Sequence, residues 1–238
     1  MQKIIFALLV LIAASESHAQ FSYPKKQTYA DLALSAGGGF SGAASYNTLY
    51  GVGKSKRFKI GWGVRLTSFV GNNLDYYTAP AKLTSGEYGP QVIFKENILS
   101  NIDTLQLTNT QTNALNLVIH LEYSFKRLGL GFNIDALGLT LGGEQSGRFI
   151  AKSTGSRLHN TTQTAKPTTL NALLISDNDW GSLNSELYAR YWLTDKIGLR
   201  AGASFQFTEY TTSRKLTFEN DRFRNKILMP FVGVSIKL

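Results

Sequence analysis

The chain has 238 residues, a formal net charge of +9 and no cysteine. Without cysteine there are no disulfides, no thiolate metal sites and no lipid-modified cysteine anchor. No apolar stretch reaches the ~20 residues of a spanning helix, so any crossing of a membrane must use strands.

Residues 1–19 read as a secretory signal. Lys3 supplies the positive end, Ile4 to Ala14 a short apolar stretch, and Ser17-His18-Ala19 small residues at the cleavage positions. Export argues against nucleic acid as a partner, and so does the scatter of the basic residues, which form no arginine-rich run. Residues 20–30 form a polar lead. A Gly-rich strand is predicted over 31–40, with Leu32, Leu34 and Ala36 on one face and Gly37-Gly38-Gly39 inside it. A turn at 41–44 leads to a second strand over 45–53.

The third strand, 58–70, alternates Phe58, Ile60, Trp62, Val64 and Leu66 with Lys59, Gly61, Gly63 and Arg65. Successive side chains of a strand point to opposite faces, so this run has one apolar side and one polar, charged side. After a long connection over 72–112 comes a fourth strand, 113–125, with Leu115, Leu117, Ile119, Leu121, Tyr123 and Phe125 on its apolar face. Val92-Ile93-Phe94 and Leu105-Gln106-Leu107 predict that this connection continues as a hairpin above the membrane. The fifth strand, 128–141, slips phase by one residue at Ala136-Leu137, which predicts a β-bulge. A second long connection spans 142–182. Strands over 183–193, 197–211 and 225–238 complete the series.

These features predict an all-β fold: an eight-stranded antiparallel transmembrane β-barrel, residues 31–238, with short periplasmic turns and long extracellular loops. The apolar faces of the third, fourth, fifth and seventh strands carry no charge, and the opposite faces are rich in Gly, Ser and Asn, which suit the crowded lumen of a small barrel. A soluble barrel would put the apolar face inside. Phe58, Tyr123, Phe125 and Tyr191 beside the short turns predict an aromatic girdle.

Taken together, the signal, the alternating strands and the uneven connections resemble the small outer-membrane β-barrel family (outer membrane protein A/X-like, Bacteroidota-type). The resemblance implies residence in the cell outer membrane and contact with outer-membrane lipid, lipopolysaccharide and the barrel insertion machinery. The long loops, 72–112 and 142–182, are expected to meet the outside and an extracellular partner that the sequence does not identify. Members often end on Phe or Trp, whereas this chain ends on Leu238. No peptidoglycan-binding domain follows the barrel, so a wall-anchoring role is not implied.

The lumen-facing set is Lys59, Arg65, His120, Glu122, Asp135, Glu186, Arg190 and Arg200. Unpaired buried charges are costly, so three acids and four bases on one interior predict an ion-pair network that closes the lumen. The expected role is structural or surface-interacting and not enzymatic. A narrow transport barrel for ions or small solutes is the alternative. A lipid A-modifying enzyme, with His120 beside Glu122 and Ser124, is a minor one. No metal or cofactor is expected: two histidines follow residue 19, and no ligand spacing connects them. Asp103-Thr104-Leu105 matches an O-glycosylation pattern.

Overall fold

The computed structural model describes residues 23–152, 156–174 and 176–238, so the signal segment 1–19 lies outside the described residues. Among these residues eleven strands form one antiparallel sheet: β1 (Lys26–Ala36), β2 (Phe40–Val52), β3 (Phe58–Thr78), β4 (Thr104–Phe125), β5 (Leu128–Leu141), β6 (Gln145–Ile150), β7 (Thr161–Pro167), β8 (Leu170–Ala172), β9 (Leu183–Trp192), β10 (Ile197–Thr212) and β11 (Arg222–Lys237). Eight of them close a ring in the order β1-β2-β3-β4-β5-β9-β10-β11, with β11 returning to β1 from Tyr29↔Lys237 to Ser35↔Phe231.

The third, fourth and last strands extend beyond the predicted ranges, to Thr78, from Thr104 and from Arg222, and the first hairpin differs in two boundaries. The first strand begins at Lys26 rather than Asp31. The β1–β2 turn is Gly37-Gly38-Gly39 rather than 41–44, because Gly37 (φ 143°) and Gly38 (φ 66°) take backbone conformations that side chains disfavour. The bulge lies where the phase slip predicts it. Leu117 pairs with Leu137 and Val118 with Asp135, which leaves Ala136 unopposed.

Apolar residues of the eight-stranded ring point outward. Ile60, Leu117 and Leu199 are 45%, 50% and 47% exposed. On β4 the outward apolar run extends from Phe125 to Leu115, and above it stand Gln111 and Asn109. Ten steps at ~3.4 Å give ~34 Å along the strand, or ~26 Å after a ~40° tilt, which matches the ~25 Å apolar band of membrane barrels.

The long connections are partly strand. β3 and β4 run far above this belt as a paired ribbon, Tyr77↔Thr104 at its tip. Leu105-Gln106-Leu107 lies in β4 as predicted. Val92-Ile93-Phe94 does not continue the ribbon. It ends a 3₁₀ turn, Gly89–Phe94, that carries Pro90 at its second position and follows a short helix, α1 (Ala81–Ser85). Within 142–182, β6 pairs with β4, β7 pairs with β6 and with β10, and β11 pairs directly with β3 above the short β1–β2 hairpin. The order β3-β4-β6-β7-β10-β11 therefore closes a second ring, of six strands, on top of the ring of eight.

The two rings are lined oppositely. The upper one encloses Tyr76, Leu105, Leu107, Phe149, Tyr210 and Phe223, all fully buried. The inversion arises on β3 and β4. Inward positions run Lys59 to Gly71 on β3 and then, past Asn73 (φ 52°), continue with Leu74 and Tyr76. On β4 they change from Thr110 and those beyond it to Leu105 and Leu107. A one-residue slip on both partners keeps their register and exchanges the faces.

Candidate functional site

The lumen of the eight-stranded ring is the candidate site. All eight residues singled out from the sequence are buried in it, each at 3% exposure or less. Period-two alternation puts Lys59 and Arg65 on the inner face of β3, His120 and Glu122 on β4, Asp135 on β5, Glu186 and Arg190 on β9, and Arg200 on β10.

Seven of them join one further residue in a continuous chain of alternating charge. Lys59 Nζ lies 3.4 Å from Glu122 Oε1, and Glu122 Oε2 lies 2.5 Å from Arg190 Nη1. Arg190 Nη2 meets Asp31 Oδ2 at 3.2 Å, and Arg200 Nη1 reaches the same oxygen at 2.6 Å. Arg200 Nη2 continues to Glu186 Oε2 at 2.8 Å, which lies 3.1 Å from Arg65 Nη1. Arg65 Nη2 ends the chain on Asp135 Oδ1 at 2.5 Å. Asp31 is the residue that sequence reasoning missed. It makes four acids for four bases, so the chain is neutral.

Neutral partners fill several of the valences that the charges leave open, while Asp31 Oδ1 and Arg200 Nε have no hydrogen-bond partner among the described residues. Asn116 Nδ2 and the Asn184 amide donate to Asp135 Oδ2 at 2.7 and 2.9 Å. Asn133 Nδ2 donates to Glu186 Oε2 at 2.7 Å, and Tyr188 Oη donates to Glu122 Oε2 at 3.2 Å. The Arg190 guanidinium lies 4.0 Å from the Tyr29 ring centroid, and that of Arg200 lies 4.2 Å from the Tyr188 centroid. Glycine makes the space: a Cβ on Gly131 would overlap the Tyr188 ring.

His120 stands apart. It is 1% exposed, and neither ring nitrogen has a hydrogen-bond partner among the described residues. Ser124 Oγ donates to Glu122 Oε1 at 3.4 Å, not to the imidazole. His159 is outside the lumen, with Nδ1 3.2 Å from the Ala151 carbonyl. Among the described residues no cluster of three or more metal-ligating side chains occurs. Asp103 and Thr104 are 2% and 8% exposed, so the folded chain does not present the acceptor hydroxyl that its sequence pattern suggested.

A second charge cluster also escaped the sequence reading. Glu209, on the outer face of β10 above the belt, holds Arg222 at 2.8 Å and Arg224 at 2.7 Å. Arg222 stacks 3.6 Å from the Trp180 ring centroid, and both arginines donate to the Asp179 carbonyl. The cluster pins the segment before β9 onto the wall. Phe58, Tyr123, Phe125 and Tyr191 face outward beside the short turns, with Tyr123 and Phe125 centroids 4.7 Å apart.

No family model and no curated protein matches the sequence. Among solved structures, the chain is similar to Neisserial surface protein A, at 11% identity and a TM-score of 0.37, over 90% of this chain and 96% of that one. It is also similar to a major outer membrane protein from Thermus thermophilus, at 10% identity and a TM-score of 0.40, over 90% and 100%. A third is the toluene transporter TbuX of Ralstonia pickettii, at 11% and 0.24, over 84% and 68%.

Proposed function

We propose that the chain is an integral outer-membrane β-barrel with a structural or surface-interaction role and no enzymatic activity. The observation that carries this reading is the pairing of an uncharged outward belt with a lumen filled by interlocked charges. Lipid accepts such an outside, and neither water nor solute finds a path through such an inside. The apolar core of the six-stranded ring is a second closure above the first, which weighs against the narrow transport barrel.

Under this reading the short turns and both chain ends face the periplasm, and the six-stranded ring projects outward. Outer-membrane lipid, lipopolysaccharide and the insertion machinery are its partners within the envelope. Its surface for an extracellular partner is the β3–β4 connection, where Tyr88, Ile93, Phe94 and Leu99 are 58%, 60%, 88% and 68% exposed. Apolar side chains gathered on one connection above a rigid wall are a contact surface.

Fractionation tests the location. The protein belongs with outer membranes, resists carbonate extraction and migrates differently on gels with and without boiling. Recovery as a soluble periplasmic protein overturns it. In planar bilayers the purified barrel conducts little or nothing, whereas large, stable channels refute the closed lumen.

A further inference from the structure

The positive charge of the chain is unevenly placed. The ion-pair chain of the lumen is neutral. The connections at the far end, 72–112, 142–182 and 208–226, hold eleven Lys and Arg against ten Asp and Glu. The formal excess of nine is therefore concentrated at the short-turn end. Lys25 and Lys26 stand there where β1 begins, Lys54 and Arg57 on the β2–β3 turn, Arg127 on the β4–β5 turn and Lys196 on the β9–β10 turn, all exposed. Asp195 is the one acid on those turns.

These cations ring the barrel at the end of its apolar belt. Lys26 pairs with outward Tyr50, Arg57 precedes outward Phe58, Arg127 lies two residues past Phe125, and Lys196 precedes Ile197. Aromatic side chains at the end of the belt mark the headgroup level of a membrane barrel. A long cationic side chain there rests its stem on apolar surface and presents its charge to the headgroups. Two of the six are steadied by neutral groups. The Arg57 guanidinium lies 5.7 Å from the Tyr23 ring centroid, and Arg127 Nη1 donates to the Leu193 carbonyl at 3.3 Å. Such partners hold a side chain in place and do not neutralise it.

We infer that this collar binds the phosphates of anionic phospholipids in the leaflet that surrounds the short-turn end. The inference rests on the membrane-barrel reading and adds the chemistry of the lipid. Placement favours a leaflet over a soluble acidic partner. The cations occur on all three turns and where β11 closes on β1, so they face every side of the barrel. A leaflet meets every side, whereas a globular partner docks on one. Anionic headgroups within a Debye length of ~10 Å are attracted by several of these charges at once, and zwitterionic headgroups carry no net charge to attract.

The test reconstitutes the full-length barrel in phosphatidylcholine vesicles with a trace of spin-labelled phosphatidylglycerol or spin-labelled phosphatidylcholine. The fraction of label held at the protein surface gives the relative association of the two lipids. One variant combines Lys25→Gln, Lys26→Gln, Lys54→Gln and Arg57→Gln. A control combines Lys152→Gln, Arg157→Gln, Lys166→Gln and Lys215→Gln, four exposed cations of the other end. None of the eight belongs to the lumen chain, and the heat-modifiable band reports that each variant folds.

A preference for phosphatidylglycerol of at least about threefold in low salt, at least halved in the first variant and kept in the control, supports the inference. The same preference should fall toward one in about 0.5 M salt. No preference, or one that the first variant keeps or the control loses, overturns it. Binding of the soluble polyanion heparin without any lipid preference also overturns it and assigns the collar to a soluble partner. A barrel that stays folded in the vesicles without a preference overturns this inference alone. Recovery of soluble protein overturns the membrane-barrel reading with it.

Discussion

Asp31 Oδ2, on the first strand, accepts a hydrogen bond from Arg200 Nη1 at 2.6 Å across the lumen, 169 residues away in sequence. The same oxygen accepts from Arg190 and from Asn47 Nδ2 at 3.2 and 3.1 Å. One carboxylate thus ties β1 and β2 to β9 and β10, and it joins the Glu122–Arg190 part of the charge chain to the Arg200–Glu186 part.

Asp31→Ala should therefore do more harm than its volume suggests. It leaves two buried guanidinium groups short of a counter-charge, and breaking a buried pair costs about 3–5 kcal/mol. The unboiled, compact gel band should be lost at a lower temperature than in the unaltered protein. Asp31→Ala combined with Arg200→Met restores charge balance and should recover part of that loss. A single variant as stable as the parent would show that the chain holds nothing together.

Parity gives a second prediction. Lys in place of Ile60, Leu117 or Leu199 faces lipid and should impair insertion by about 2–4 kcal/mol at mid-depth. Gly131→Lys fails for another reason, since it collides with Tyr188 in the lumen. Refolding yields into lipid vesicles and into detergent separate the two. The first three variants should fold better in detergent than in lipid, and Gly131→Lys should fold poorly in both.

The six-stranded ring should respond to alkali. Burial pushes the Tyr210 phenol up to about 12, and burial raises Tyr76 as well. A folded pKa above the ordinary ~10 means that this stabilisation is complete below pH ~10 and is lost as pH rises through about 12. Protease protection of the upper ring should fall across that window while the lower ring stays heat-modifiable. Tyr210→Phe should remove part of the pH dependence.

Trimming the β3–β4 connection between Ala79 and Asp103 should leave the barrel folded and closed, because the charge chain lies below it. Adhesion or partner binding should disappear with Phe94 and its neighbours. A rise in solute permeability with no loss of binding would instead favour transport.

Much of the lower ring is legible in the sequence. Alternation locates the third, fourth and fifth strands, and the inward Asp135 beside the outward Leu137 fixes the bulge. The rest fails for physical reasons. Asp31 looks like the start of a strand until Gln27 and Tyr29 are recognised as sharing its inward parity. β6 (QSGRFI) and β7 (TTQTAKP) carry little apolar alternation, because their outer sides stand above the belt, where lipid no longer demands it. Their place depends on pairing with β4 and β10, which is non-local. Glu209 shares parity with outward Phe205 and Phe207, and only the segment folded over it makes a buried anion of it.

Leu117 and Gln111 lie on the same outward face of β4, six residues apart and both exposed in the fold. The natural chain has no cysteine, so single Leu117→Cys and Gln111→Cys variants can be labelled with a membrane-impermeant maleimide in intact vesicles. Cysteine at 111 should react, and cysteine at 117 should react only after denaturation. Equal labelling at both positions would mean that the apolar belt meets water, and the membrane barrel would be refuted.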